Sequence, residues 1–153
     1  MINVYPGVLA ADELPLTAAE QAALAVSLNQ YRQGDLLAAL DNYPAGRVPQ
    51  SDGEKIFYAG LLLAVGQVDK AEAQLANVAT QPALVTALRE VMATVTLTNS
   101  SETSQPVLAS EWLARSYSQQ ARFDLGGALE SARAATRVST NFGFAWERVA
   151  ELE

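Results

Sequence analysis

The chain of 153 residues contains no cysteine and no histidine. Histidine-based catalytic triads, cysteine nucleophiles, zinc sites with thiolate or imidazole ligands, redox dithiols and disulfides are therefore excluded within it. Carboxylates remain, but pairs such as Glu147 and Glu151 lie on one helix face without a third ligand or an apolar pocket. We therefore predict no metal site, no cofactor and no catalytic residue.

Positive charge is also scarce, with 10 Lys and Arg residues against 17 Asp and Glu residues and a net charge of −7. Nucleic-acid binding requires clustered positive charge, and here the two lysines, Lys55 and Lys70, stand apart among scattered arginines. No apolar run approaches the roughly 20 residues of a membrane-spanning helix, and the first residues do not resemble a signal peptide. We expect a soluble protein with no nucleic-acid partner and no membrane insertion.

Helical periodicity extends over most of the chain, and seven to eight short helices are predicted. Two helix starts carry a capping box, in which a Ser or Thr is followed three residues later by Glu: Thr17 with Glu20, and Ser51 with Glu54. Tight turns separate the helices, and Thr96 to Gln105 is the one polar, Ser- and Thr-rich stretch. An irregular all-α bundle is compatible with these features.

Small residues recur at a fixed spacing. Gly34 and Gly66 are 32 residues apart, and so are Ala39 and Ala71. In both places a helix is followed by Gly, a polar residue, an apolar residue and a second helix. Small side chains at such positions allow two antiparallel helices to approach closely, which indicates an internal repeat.

The pattern resembles the tetratricopeptide repeat, a pair of antiparallel helices that recurs about every 34 residues. The resemblance covers most of the chain from about Thr17, although each copy is degenerate. The residues that match are Tyr31–Leu36 with Ala39 and Tyr43; Gly66 with Ala71, Leu75, Val78 and Pro82; Leu113, Ala114, Tyr117 and 120–123 with Ala128 and Ala135; and Asn141–Trp146 with Val149 and Ala150.

The resemblance implies an all-α fold, a right-handed superhelical stack of antiparallel helix pairs. It implies an N-terminal extension at 1–15 and a repeat domain at 16–153. Strict alternation is broken by an extra helix, which is either an insert or part of a repeat. The segments are repeats 17–48, 51–82 and 106–139, a partial repeat 141–153, the extra helix 83–97 and a polar linker 98–105.

In this family the first helix of each pair lines a concave surface where partner segments lie. The resemblance thus implies a non-enzymatic scaffold that binds a protein or peptide partner there. The alternative is a structural spacer or self-association module of a larger polypeptide. With either function, the chain resembles part of a larger bacterial protein of the cytoplasm or periplasm. The implied partner-binding residues are Tyr31, Arg32, Phe57, Leu63, Glu111, Trp112, Arg115, Phe144 and Arg148. Of these, Phe57, Leu63 and Trp112 also fit a packing role between helices or under the linker.

Overall fold

The computed structural model describes residues 7–96 and 105–153, and every regular element within these ranges is helical. The all-α prediction is confirmed for this part of the chain. The predicted linker 98–105, apart from Gln105, lies outside the described residues. The elements are a 3-10 turn at Ala11–Glu13 and helices α1 (Ala18–Ala23), α2 (Ala25–Arg32), α3 (Leu36–Asp41), α4 (Asp52–Ala64), α5 (Val68–Leu75), α6 (Pro82–Val95), α7 (Ala109–Ala121), α8 (Leu125–Val138) and α9 (Gly143–Leu152).

The described residues divide into two compact units. The first contains Gly7 and Ala11–Pro82, and hence α1 to α5. The second contains Val8–Ala10 and Ala83–Glu153, and hence α7 to α9 and all of α6 after its first residue. The short segment 8–10 is therefore part of the second unit, although the helices of that unit come more than 70 residues later in the chain.

The two predicted capping boxes are formed to different extents. At α1, Thr17 Oγ1 accepts a hydrogen bond from the Glu20 backbone N–H at 3.1 Å, and the Glu20 carboxylate accepts one from the Thr17 N–H at 2.9 Å. At α4, Ser51 Oγ accepts from the Glu54 N–H at 3.1 Å. The Glu54 carboxylate is bound elsewhere, so only half of the second box forms.

Glu54 is fully buried and holds the loop between α3 and α4. Its carboxylate accepts hydrogen bonds from the Tyr43 hydroxyl at 2.6 Å and from Arg47 Nη2 at 2.8 Å. A carboxylate gains more from a charged guanidinium than from a backbone amide, which explains why the reciprocal half of the capping box is absent. The pKa of Tyr43 lies above its usual range because the ring is buried and its hydroxyl donates to Glu54.

Three helix pairs turn in the same way: α2 with α3, α4 with α5, and α7 with α8. The residue at each turn has a positive φ, which is 86° at Gly34, 81° at Gly66 and 65° at Phe123. Its N–H binds the carbonyl three residues back, and the next N–H binds the carbonyl five residues back. This is the Schellman arrangement that ends a helix and reverses the chain.

Close packing within each pair rests on small residues. Ala39, Ala71 and Ala128 have no exposed surface, as the 32-residue spacing predicted for the first two. In two pairs a serine of the first helix reinforces the contact: Ser27 Oγ donates to the Ala39 carbonyl at 2.6 Å, and Ser116 Oγ donates to the Ala128 carbonyl at 2.7 Å. The same hydrogen bond thus joins α2 to α3 and α7 to α8.

The second unit places α8 in contact with both α7 and α9. Helix α6 buries Leu84, Leu88 and Val91, and its Glu90 carboxylate lies beside Ser118 of α7. No helix within the described ranges is long and apolar enough to cross a bilayer.

Candidate partner-binding surface

Five of the nine predicted partner-binding side chains lie inside the protein. Tyr31 and Phe57 meet edge to face, with ring centroids 5.6 Å apart, and join α2 to α4. The others with buried side chains are Leu63, Glu111 and Arg148, whereas Arg32 is exposed and Trp112, Arg115 and Phe144 are partly exposed. The buried five pack inside the protein in this structure, and the binding role of all nine stays a prediction.

Glu111 and Arg148 illustrate why charged residues are buried here. Glu111 closes the start of α7, because its carboxylate accepts hydrogen bonds from the backbone N–H groups of Val107 and Leu108, both at 3.0 Å. A carboxylate at a helix N-terminus is favoured by the exposed amides and by the helix dipole. This capping role accounts for the burial of Glu111 without any bound partner protein.

Arg148 joins α9 to α7, and only 2 % of the residue is exposed. Its Nε donates to Ser116 Oγ at 3.1 Å, its Nη1 donates to Glu151 at 2.8 Å, and its Nη2 donates to the Gln120 side chain. The guanidinium also lies 4.0 Å from the ring centroid of Tyr117. Burial of that ring raises the pKa of Tyr117 to about 12, although the positive charge of Arg148 acts in the opposite direction.

Exposed Arg32 lines a surface cavity of about 310 Å³ in the first unit. Apolar side chains and polar groups share its wall, and Arg32 Nη2 lies 3.3 Å from the Asp12 carboxylate. Both members of this ion pair are more than half exposed, so the pair is weak and open to exchange. The residues that line the cavity are Ala11, Leu14, Leu16, Gln21, Ala25, Leu28, Asn29 and Arg32.

Trp112 and Arg115 form a second partly exposed group, on α7. The Arg115 guanidinium lies 6.0 Å from the centroid of the indole ring, at the limit of a cation–π contact. Glu90 of α6 faces the same region. Burial raises the pKa of Glu90, although the charges of Arg115 and Arg122 and a hydrogen bond from Ser118 lower it.

Phe123 is an exposed aromatic residue that the sequence pattern did not assign to the surface. Its side chain is 92 % exposed, and Leu125, two residues on, is 57 % exposed. The available signal was positional: Phe123 occupies the place in its turn that Gly34 and Gly66 occupy in theirs. A repeat alignment therefore predicts an outward-facing residue there.

Acidic side chains occur in both units of the described residues. No group of three or more acidic side chains in these ranges could hold a metal ion. The most deeply buried acid, Glu54, is enclosed by Tyr43 and Arg47. Comparison of the chain with protein-family models, with curated proteins and with solved structures found no match.

Proposed function

We propose that this protein is a non-enzymatic interaction module whose helix pairs are tetratricopeptide-like repeats and which binds a segment of a protein partner. The repeat assignment is supported by the shared Schellman turns and by the buried alanines at equivalent positions of the pairs. That the pairs continue into a right-handed superhelix with a concave face stays a prediction, as does a bacterial compartment.

The observation that carries the binding proposal is the cavity beside Arg32. It lies against α2, in the first helix of a pair, which is the element that the resemblance assigns to partner binding. Leu14 and Leu28 offer apolar contact, and Gln21, Asn29 and Arg32 offer side-chain hydrogen-bond donors. A site of this kind suits a short segment with one apolar side chain and a nearby carboxylate that replaces Asp12 at Arg32.

A peptide library displayed on phage and selected against the immobilised chain tests this proposal. Peptides recovered from the selection are synthesised, and their dissociation constants are measured by fluorescence anisotropy. Ala25→Tyr, which fills the cavity from an exposed position of α2, is expected to weaken binding at least tenfold, and Arg32→Ala several-fold. Each lost charge-assisted hydrogen bond corresponds to about 1.5 to 3 kcal/mol at most in a dry site and to less at this exposed one.

The matched control is Ala22→Tyr, an exposed alanine of α1 that does not line the cavity. It should leave the dissociation constants unchanged. If selected peptides bind all three variants as tightly as the unaltered chain, the cavity is not the binding site. The spacer or self-association alternative is tested separately by light scattering, where it requires a mass that rises with protein concentration.

A further inference from the structure

The segment Gly7–Ala10 is a non-helical stretch that is buried like a core element. Only 2 % of Val8, 1 % of Leu9 and 2 % of Ala10 is exposed, and Leu9 is among the largest fully buried side chains. The resemblance places this stretch in the N-terminal extension 1–15. We refer to Val8–Ala10 as the arm.

The arm is held by the second unit, although the residues that follow it belong to the first. A specific hydrogen bond anchors the arm: the Ala10 N–H donates to Ser110 Oγ at 2.8 Å, in a buried contact between residues that are 100 positions apart in the chain. Ser110 lies in the first turn of α7 and has no exposed surface. Proteins recognise extended peptides in this way: they bury the aliphatic side chains in a dry site, and a fixed side chain binds a main-chain N–H.

We infer that the second unit contains a binding site for an extended aliphatic peptide, and that the arm occupies this site in cis. The partner is an extended segment of another protein with two or three consecutive small or branched aliphatic residues, of the Val-Leu-Ala type. Such a segment meets the same dry site and the same Ser110 hydroxyl once the arm leaves. The arm therefore acts as an intramolecular competitor that sets the affinity for the partner.

This site is separate from the cavity beside Arg32, which lies in the first unit. Peptide binding at the arm site can therefore fail while binding at the Arg32 cavity holds, and binding at the cavity can fail while binding at the arm site holds. Because the arm is tethered, it competes with an effective concentration in the millimolar range, so a free peptide binds the unaltered chain weakly. Replacing Leu9 with a charged residue should expel the arm and expose the site.

The test uses a fluorescein-labelled synthetic peptide with the sequence of residues 7–11, which omits Asp12, the partner of Arg32, and measures its binding to the full chain by anisotropy. Leu9→Asp is expected to bind the peptide at least tenfold more tightly than the unaltered chain. Leu9→Ala keeps the arm apolar, so its affinity for the peptide should lie between those of Leu9→Asp and the unaltered chain. A peptide that carries Asp in place of Leu9 should not bind any of the three chains.

Two further variants separate the arm site from a general loosening of the protein. Val48→Asp introduces the same charge at a residue that is 67 % exposed in the first unit, and it should bind the peptide no better than the unaltered chain. Ser110→Ala in the Leu9→Asp background should weaken peptide binding about threefold to tenfold, the fold-change of one hydrogen bond. Circular dichroism verifies that each variant is folded.

Amide hydrogen exchange on the unaltered chain supplies a measurement that does not depend on any variant folding. If the arm opens as a unit, the Ala10 amide exchanges faster than the slowest amides of α7 and α8. Equal exchange at Ala10 and in these helices overturns the inference, as does a folded Leu9→Asp chain that fails to bind the peptide at 1 mM, about the effective concentration of the arm. A dimer that Leu9→Asp abolishes also overturns it, in favour of arm exchange between copies.

Discussion

At the scale of single residues, Phe123 has a backbone conformation that its side chain disfavours. Its φ of 65° lies in the left-handed region, where an L-residue other than Gly, Asn or Asp is strained by about 1 to 2 kcal/mol. The side chain recovers little of this by packing because it is 92 % exposed. Gly34 and Gly66 meet the same backbone requirement without strain.

Phe123→Gly is accordingly expected to stabilise the protein. Relief of the strained backbone outweighs the extra freedom that glycine gives the unfolded chain, with a net gain of about 0.5 to 1 kcal/mol in the free energy of unfolding. Urea denaturation followed by circular dichroism measures it. Gly34→Ala makes the opposite change at an equivalent turn; it serves as the control and should lower the free energy of unfolding. A loss of stability in Phe123→Gly would show that the exposed ring makes stabilising contacts.

The local signals of the sequence predicted helices, caps and turns well, because each depends on residues within one or two turns of helix. Thr17 with Glu20 forms the predicted box, and Gly34 and Gly66 lie at the predicted turns. Burial of charged groups was not predictable in this way. The partners of Arg148 lie on another helix, about thirty residues earlier, and periodicity carries no information on such pairs.

At the scale of elements, α9 is attached to the second unit by both apolar and polar contacts. Ala145 and Val149 are buried, and Arg148 reaches Ser116, whose hydroxyl also binds the Ala128 carbonyl of α8. Ser116 therefore connects three helices. In the first unit Ser27 makes the equivalent bond to Ala39.

Arg148→Ala is expected to detach α9 and to destabilise the second unit by about 2 to 4 kcal/mol. The cause is a cavity together with hydrogen-bond acceptors that lose their donor. Arg148→Met keeps most of the side-chain volume and should lose less, since an apolar replacement of a buried charge is tolerated better than a deletion. Hydrogen exchange at the α9 amides, compared with those of α7, measures the effect.

The control for this series is Arg133→Met, on the exposed side of α8. Arg133 pairs with Glu130 at 3.0 Å and Glu153 at 3.1 Å, and all three side chains are at least two-fifths exposed. Exposed ion pairs contribute little, so α9 should exchange as in the unaltered chain. Equal protection of α9 in Arg148→Ala and Arg133→Met contradicts the assignment of Arg148 as the anchor.

At the scale of the whole molecule, the carboxyl groups whose pKa is shifted most clearly differ in the direction of the shift between the two units. In the first unit burial acts to raise the pKa of Glu20, but hydrogen bonds from Ser51 and Thr17 outweigh it and lower the pKa below 4.5. The pKa of Asp52 is lowered chiefly by the Thr80 hydroxyl. In the second unit burial raises the pKa of Glu90.

A pKa that differs between the folded and unfolded states makes the free energy of unfolding depend on pH, so these shifts predict how stability changes with pH. A carboxylate with a depressed folded pKa stabilises the fold at pH values above its unfolded pKa, and this contribution is lost as the pH falls from about 4.5 through the folded pKa. The first unit should therefore weaken in acid. Glu90 acts in reverse: its ionised form costs stability at neutral pH, so Glu90→Gln should stabilise the second unit at pH 7.

Urea denaturation between pH 3 and pH 7 checks both statements, with hydrogen exchange to assign each effect to its unit. Glu20→Gln should flatten the acid dependence of the first unit, and Glu147→Gln, an exposed control on α9, should leave both profiles as they were. A first unit whose stability is the same at both ends of this range contradicts the role of Glu20.

The candidate surfaces were predictable only in part at this scale. The resemblance identified α2 as a partner-binding helix, and Arg32 lines a cavity there. It also assigned Phe57 and Leu63 to the surface, whereas neighbouring helices cover them. The arm carried one usable signal, three consecutive apolar residues in Val8–Ala10, but its site on α7 is 100 residues away and no local pattern indicates it.

That separation also has a consequence for biosynthesis. Val8–Ala10 is translated about 5 to 20 seconds before Ser110 at ordinary elongation rates. Throughout this interval the nascent chain presents three aliphatic residues whose final resting place does not yet exist. Chaperones that capture short hydrophobic stretches would encounter the arm first, before any other part of the second unit has been made.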